Sequence, residues 1–486
     1  MPEPIDYRQP IECDVAIVGA ELASMIAGAI LARHGKRVVL VDAPPVTGGR
    51  GGSVQYRDYW LDNGHRLGFD VTDLEIGWIR GQDAAEQAGV DVRINELDSQ
   101  LRIHLLPRFP ATEPAPTVDG DFDTEGFVSL ALEGLGVPEA HLAEFMKVMA
   151  RLSSATQEEV DAAIETPLGD WVERNIEEPA VRAGVLNVAK TIYCQYPERA
   201  SAGRILGFFS TRHVGRRIIT GFADDEEVGG MGGAAAPFER ALRERGGRII
   251  LSHQPVEVTF DGDRATGFVA LSDNHLALEV RAEHTLITYP IWSALPLLPP
   301  ERRDPELVSI AERLQDSNTD TTGLMLALKR LPRLRSTGEV ETHRGWNRFL
   351  VGPERAFQGG YHIPSMSSRA VAPGDHHLLH CLITRWVQRD EHIGWRETRD
   401  AADAAREYLT HFYEDLEDCI EWEAHQWMQR PAVMGWFWAP VVRHGTEVPG
   451  CRNLYLANTT IESDSGPVDI CADAALRATR AILGTA

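Results

Sequence analysis

The sequence lacks closely spaced cysteines. Its 486 residues include six cysteines, and no two of them form a C-x-x-C pair. Zinc sites and redox-active dithiols usually show such pairs, and small secreted scaffolds carry a denser set of cysteines. We therefore expect reduced thiols, no bound metal and a cytoplasmic location.

The sequence also lacks an excess of positive charge. It has 48 lysines and arginines against 72 acidic residues, a formal net charge of −24. Nucleic acids and anionic lipid surfaces attract basic patches, so this balance argues against both as firm partners. The amino-terminal residues contain no basic region followed by an apolar run, and no secretory signal is expected.

What the chain does contain is a strand–helix–strand pattern near its beginning. An apolar strand over residues 15–18 runs into Gly19, a helical segment follows, and a second strand over residues 37–41 ends at Asp42. This order is typical of a dinucleotide-binding βαβ unit, in which an acidic residue follows the second strand. The sequence therefore predicts a Rossmann-like start.

The glycine loop of this unit departs from the usual G-x-G-x-x-G fingerprint. There the three glycines serve the tight turn, the approach of the pyrophosphate and close packing of the helix. The corresponding residues here are Gly19, Glu21 and Ser24. The turn glycine is kept, but a carboxylate stands where a helix amino terminus would attract phosphate.

Four further segments follow in order. They are the loop Gly48-Gly49-Arg50, the stretch LDNGH at 61–65, the glycine tract at 229–233 with the helix and strands after it, and NLYLANTT at 453–460. Together with the βαβ unit, they resemble the FAD-dependent amine oxidase and phytoene desaturase superfamily. Members of that superfamily have a glutathione-reductase-type FAD domain.

The resemblance implies an α/β fold of two interleaved parts. A Rossmann-like FAD/NAD(P)-binding domain with a three-layer ββα arrangement is expected over 10–110, 225–290 and 445–486. A mixed α+β substrate-binding domain is expected over 111–224 and 291–444.

The resemblance also assigns cofactor-binding residues. These are Gly19, Glu21, Asp42, Gly49, Arg50, Gly64, Val256, Asn458, Thr459 and Val468. Asp42 would bind the adenosine ribose, Arg50 would lie near the phosphates, and Val256 would touch the adenine end through its backbone. Asn458 and Thr459 stand where the superfamily has glycine and an acidic residue. If Glu21 projects outward or pairs with Arg50, FAD can bind; otherwise binding is weakened or lost.

Three residues are candidates for catalysis. His65 would lie near the flavin ring, where an imidazole can move protons near neutral pH, or it stabilises the turn at Asn63 and Gly64. Tyr289 either lines a substrate pocket or lies at a hinge between the domains. Trp436 belongs to an aromatic segment that either forms a wall beside an apolar substrate or packs in the core.

The leading functional hypothesis is an FAD-dependent oxidoreductase acting on a largely apolar small molecule such as an isoprenoid, lipid or cyclic compound. The first alternative is a flavin-fold pseudoenzyme that has lost FAD and binds a hydrophobic ligand or a partner protein. The second alternative is a non-redox, flavin-assisted isomerase or hydratase. Weak membrane contact through the apolar segment at 291–300 stays open, and so does the oligomeric state.

Overall fold

The structure is a computed structural model of the chain. It describes residues 5–63, 69–72, 79–96, 102–104, 117–118, 128, 131–132, 135–192, 197–210, 218–315, 318–345, 347–351, 357–387, 391–433, 443–463 and 469–485. Four of the predicted site residues, Gly64, His65, Trp436 and Val468, lie outside these ranges.

Nineteen strands occur in the described residues. They are β1 (Ile11–Val18), β2 (Val38–Val41), β3 (Ser53–Tyr56), β4 (Tyr59–Asp62), β5 (Phe69–Thr72), β6 (Ile94–Glu96), β7 (Arg102–His104), β8 (Thr117–Val118), β9 (Ile218–Ala223), β10 (Arg248–Ile250), β11 (His253–Asp261), β12 (Arg264–Ser272), β13 (Ala277–Ile287), β14 (Asn318–Leu328), β15 (Asn347–Val351), β16 (Phe357–His362), β17 (His377–Val387), β18 (Ile420–Val433) and β19 (Leu454–Leu456).

The same residues contain thirteen α-helices. They are α1 (Leu22–Arg33), α2 (Ile79–Ala88), α3 (Leu142–Ser153), α4 (Gln157–Ala162), α5 (Leu168–Asn175), α6 (Pro179–Ile192), α7 (Ala202–Phe209), α8 (Gly232–Glu244), α9 (Ile291–Ala294), α10 (Pro305–Gln315), α11 (Trp395–Phe412), α12 (Leu416–Cys419) and α13 (Asp469–Leu483).

The first sheet has the parallel centre that the βαβ pattern predicts. Its strand order is β10-β2-β1-β13-β12-β11, and β19 also pairs with β13. The β10, β2, β1, β13 and β19 pairings are parallel, whereas β11, β12 and β13 form an antiparallel meander. Strand β2 is buried along its whole length, which is typical of a parallel strand covered on both faces.

Helices cover one face of this sheet. Eleven of the twelve residues of α1 are buried, so this helix lies inside the domain rather than on its surface. It packs against α2, α8 and α13. The positive end of its dipole points to the loop that follows β1, where the predicted cofactor residues gather.

The second sheet is mostly antiparallel. Its order is β18-β14-β17-β16-β15-β7-β8, and α11 packs against it. A separate apolar cluster joins helices α3 to α7. Strand β7, from the first half of the chain, pairs with β15, from the second half. The second sheet therefore contains residues from both halves of the sequence.

The apolar segment considered for membrane contact is buried. It forms α9 and a short 3-10 turn, and Ile291, Leu295, Leu297 and Leu298 are each at most 7% exposed. These side chains pack into the core beneath the first sheet. No helix in the described part of the chain is long and apolar enough to cross a membrane.

Candidate functional site

Gly19 makes the tight turn between β1 and α1. Its φ angle is +109°, and a Cβ atom there would lie 2.2 Å from Oγ1 of Thr288. Its N–H group donates to the Val41 carbonyl at 2.8 Å. Both the backbone conformation and the approach of Thr288 require glycine at this position, so the first glycine of the fingerprint keeps its structural role.

Ser24 replaces the packing glycine without leaving a polar group unpaired. Its hydroxyl lies 2.7 Å from the hydroxyl of Thr288, and both side chains are buried. The Thr288 hydroxyl donates to the Val18 carbonyl at 3.0 Å, so Ser24 is the donor in the first contact. This pair ties α1 to the end of β13. The change at the third position is therefore accommodated by a local hydrogen bond.

Glu21 is the N-cap residue directly before α1, and it packs against the glycine-rich loop. The Gly48 N–H group donates to the Ala20 carbonyl at 2.7 Å, which brings the loop alongside. A Cβ atom at Gly49 would lie 2.9 Å from the Cβ of Glu21. The loop therefore needs glycine at this point because Glu21 fills the space beside it.

The ionisation of Glu21 is perturbed by its surroundings. Burial raises the pKa of its carboxyl to about 7, with the charge of Asp42 acting in the same direction and the charge of Arg50 opposing it. The neutral form of the Glu21 carboxyl is therefore far more populated near neutral pH than that of an ordinary glutamate. Repulsion between the Glu21 carboxylate and a phosphate at this point therefore depends on pH.

Asp42 directly follows β2, and its carboxylate already accepts hydrogen bonds from the chain. Its Oδ2 accepts from the Ala20 N–H at 2.8 Å, and its Oδ1 accepts from the Ala43 N–H at 2.9 Å. The Tyr289 hydroxyl also donates to Oδ1, at 2.5 Å. Burial raises the pKa of Asp42, and these three hydrogen bonds oppose the rise. A carboxylate offers about four acceptor positions, so room for a further donor is left.

Tyr289 thus lies with the predicted cofactor residues. Its hydroxyl is held by Asp42, and its carbonyl accepts from the Asn458 side chain at 2.9 Å. Burial and the nearby carboxylate raise the pKa of the phenol. The catalytic role expected for Tyr289 stays a prediction, and its contacts place it beside Asp42 and Asn458.

The residues that follow β19, Asn458 to Thr460, form the remaining side of the site. The Asn458 side-chain oxygen accepts from the Thr460 N–H at 2.8 Å, and Nη2 of Arg50 lies 3.4 Å from the Thr459 hydroxyl. Next to them, Nε2 of His444 lies 2.7 Å from the Thr460 hydroxyl. Burial lowers the pKa of His444 to about 4, so this ring is neutral at pH 7.

The structure therefore brings most of the predicted cofactor residues together. Gly19, Glu21, Asp42, Gly49, Arg50, Asn458 and Thr459 lie at the carboxyl ends of β1, β2 and β19. Val256 lies apart, on β11 at a bulge, with 38% of its surface exposed. Only its strand approaches the site, where the His253 N–H donates to the Asp42 carbonyl at 3.0 Å. The cofactor roles of all these residues stay predictions.

Sequence reasoning missed Thr288 and His444. Thr288 follows the strand that pairs with β1, and its place at a carboxyl end of the parallel sheet is the signal that would have indicated it. His444 has no comparable signal, because it lies in a loop before β19 and contacts Thr460 only in the folded chain.

The aromatic residues of β18 do not converge on one pocket. Trp422 packs edge-on against Tyr59 with ring centroids 5.0 Å apart. Trp427 is 39% exposed and lies 6.0 Å from the exposed Trp395.

Side chains that could bind a metal ion do not cluster in the described part of the chain. No group of three or more histidine, cysteine or acidic side chains there could hold a metal ion. His376 instead contacts Tyr59 and Glu421, at 3.0 and 3.1 Å. The five described cysteines, Cys13, Cys381, Cys419, Cys451 and Cys471, are free thiols.

Comparisons with known proteins agree with this architecture. Residues 17–75 match the family model of the NAD(P)-binding Rossmann-like domain. Comparison with curated protein sequences finds no significant match.

Solved structures share the fold over nearly the whole chain. An oxidoreductase from Methanosarcina mazei is 14% identical with a TM-score of 0.64, and the match covers 97% of this chain and 100% of that one. A triple mutant of putrescine oxidase is 15% identical with a TM-score of 0.62, covering 98% and 100%. Reduced UDP-galactopyranose mutase is 13% identical with a TM-score of 0.62, covering 97% and 96%.

At these identities the comparisons establish the fold. The predicted α/β class with a Rossmann-like domain is confirmed.

Proposed function

We propose that the chain is an FAD-dependent oxidoreductase that desaturates, oxidises or isomerises a largely apolar small molecule. The observation that supports this proposal is the convergence of Asp42, Arg50 and the amino end of α1 at one edge of the first sheet. In open α/β sheets, ligands bind at the carboxyl ends of the parallel strands. Solved structures of an oxidoreductase and of a putrescine oxidase variant share this fold.

The residues present suit most parts of a dinucleotide. Asp42 has acceptor capacity for a ribose hydroxyl, and Arg50 supplies a positive charge for phosphate. The first N–H groups of α1 have no partner within the helix and favour an anion. A bound FAD supplies the hydride acceptor, while the chain provides binding and orientation.

Glu21 decides whether phosphate is accepted at this point. When its carboxyl is neutral, it can donate a hydrogen bond to a phosphate oxygen beside Arg50. When it is ionised, it repels the phosphate and competes for Arg50. Since the pKa of Glu21 is raised to about 7, both forms are present at neutral pH. We therefore expect FAD to bind more tightly at pH 6 than at pH 8.

A titration of the purified full-length chain with FAD tests the proposal. At pH 6, flavin fluorescence should be quenched saturably, and Glu21→Gly should bind FAD at least as tightly as the wild type. Asp42→Asn should weaken binding about tenfold, whereas the control Asp261→Asn, at an exposed carboxylate of β11, should not. Absence of FAD uptake by both the wild type and Glu21→Gly would refute the proposal.

A second candidate is a flavin-fold protein that binds a ligand or partner without FAD. The observation that favours it is the way this chain uses its own groups at the site, with Tyr289 on Asp42 and Glu21 beside Arg50. The same titration separates the two candidates. Recovery of FAD binding only in Glu21→Gly would indicate a scaffold whose natural form has lost its cofactor.

A further inference from the structure

Tyr289 joins two parts of the candidate site. Its ring lies against the turn at Gly19, since a Cβ atom on that glycine would be 3.5 Å from Cδ1 of the ring. Its hydroxyl donates to Oδ1 of Asp42, directly after β2, at 2.5 Å. The side chain therefore spans the distance from the glycine turn to the carboxylate, at the carboxyl ends of the parallel strands, where nucleotides bind in open α/β sheets.

The position of Tyr289 is fixed at its backbone as well as at its hydroxyl. The Asn458 side chain, which is 1% exposed, donates to the Tyr289 carbonyl at 2.9 Å. The Asn458 side-chain oxygen in turn accepts from the Thr460 N–H group at 2.8 Å. The hydrogen bond from Tyr289 to Asp42 is therefore part of the folded site, and a ligand that binds to Asp42 has to meet it.

The acceptor positions of Asp42 set how many donors a ligand can place there. A carboxylate offers about four such positions, two on each oxygen. Oδ1 accepts from the Ala43 N–H group at 2.9 Å and from the Tyr289 hydroxyl, which together take both of its positions. Oδ2 accepts from the Ala20 N–H group at 2.8 Å, so about one position is left within the described part of the chain. A ribose carries two neighbouring hydroxyls, and only one of them finds an acceptor while Tyr289 keeps its bond.

We propose that Tyr289 is a specificity-determining residue of the nucleotide site, because its hydroxyl competes with one of the two ribose hydroxyls for Oδ1 of Asp42. The wild type then gains less from a complete ribose than a site whose acid is open on both oxygens. Phenylalanine at position 289 keeps the ring and removes the competing donor, so the second ribose hydroxyl finds Oδ1 free. The inference rests on the proposed function only in taking Asp42 as the residue that binds the ribose.

The test titrates the full-length chain, without FAD, with ADP and with 2′,3′-dideoxy-ADP in a calorimeter. The solution is held at pH 6, below the pKa of about 7 of Glu21, so that its carboxyl is mostly neutral. The two nucleotides differ only in the ribose hydroxyls, and the ratio of their dissociation constants therefore reports the contacts of those hydroxyls. In Tyr289→Phe this ratio should shift about fivefold further in favour of ADP, because a second hydroxyl then donates to Asp42.

Tyr455→Phe is the matched control, because Tyr455 lies on β19 of the same sheet and its hydroxyl lies 3.5 Å from Nδ1 of His284. It should keep the ratio of the wild type. A second measurement uses the wild type alone and does not depend on the folding of a variant. Of 2′-deoxy-ADP and 3′-deoxy-ADP, at least one should bind as tightly as ADP, since Asp42 accepts from only one ribose hydroxyl while Tyr289 is bound to it.

An unchanged ratio in Tyr289→Phe, an equal shift in Tyr455→Phe, or clearly weaker binding of both singly deoxygenated nucleotides by the wild type would overturn the inference. So would the absence of ADP binding by both the wild type and Tyr289→Phe. A chain that takes up no FAD but shows the shifted ratio loses the proposed oxidoreductase function and keeps the role of Tyr289. A chain that binds FAD with an unchanged ratio keeps the function and loses that role.

Discussion

Replacing Glu21 with glutamine should stabilise the folded chain at neutral and alkaline pH. Glutamine keeps the shape of the side chain and removes its ability to ionise. Folding raises the pKa of Glu21 from its ordinary value of 4.5 to about 7, chiefly through burial. The folded chain therefore binds this proton more tightly than the unfolded chain does.

The sign and size of the effect follow from this difference. Because the folded state holds more protons between pH 4.5 and about 7, its stability falls as the pH rises through that interval. Above pH 7 the full penalty is present, and it amounts to about 3 kcal/mol. Glu21→Gln has no such penalty, because glutamine does not ionise. It should gain about 3 kcal/mol at pH 8 and only about 1 kcal/mol at pH 5.

Urea unfolding followed by tryptophan fluorescence measures this gain. The wild type and Glu21→Gln are compared at pH 5, 6, 7 and 8. The control is Glu257→Gln, which removes an exposed carboxylate from β11 of the same domain. A gain of equal size at pH 5 and pH 8 would show that ionisation is not its cause. Equal stability of the variant and the wild type at pH 8 would refute the reasoning.

Three further predictions concern the same site. Gly19→Ala should lower the free energy of unfolding in urea by about 2–4 kcal/mol, because a Cβ atom would lie 2.2 Å from Thr288 Oγ1 at φ +109°. The control is Gly35→Ala, where the space is open, and a smaller loss at Gly19 than at Gly35 would contradict this. Tyr289→Phe should cost about 1–2 kcal/mol, since it takes a donor from buried Asp42, and an unchanged urea midpoint would count against that bond. His444 should stay neutral in NMR titrations down to about pH 5. Because its folded pKa lies below the ordinary 6.5, stability should fall as the pH drops from 6.5 toward 4, and less so in His444→Gln.

The elements that local sequence patterns predicted are largely those of the structure. The sequence predicts a short hairpin at 53–56 and 59–62, and these residues form β3 and β4, which pair along their whole length. The sequence also predicts a final helix from about residue 473, and in the structure helix α13 spans Asp469–Leu483. Helix boundaries depend on caps and on packing partners, which a hydrophobic pattern does not contain.

Local patterns predicted the site residues close to the glycine loop, whereas the distant residues Asn458 and Thr459 were predicted only from the family resemblance. Glu21 and Asp42 belong to one βαβ unit whose geometry is nearly constant, so their meeting follows from the pattern. The bond between Tyr289 and Asp42 joins residues 247 positions apart. No local pattern signals such a contact, because it depends on how β13 is placed in the sheet.

The sequence by itself determined the βαβ unit, the carboxylate at its phosphate position and the acidic character of the chain. These follow from residue order, strand and helix periodicity and charge. Only the tertiary structure decided that burial raises the pKa of Glu21 to about 7 and that Asp42 accepts a hydrogen bond from Tyr289. Burial and neighbouring charge set these properties, and both arise from segments that come together only when the chain folds.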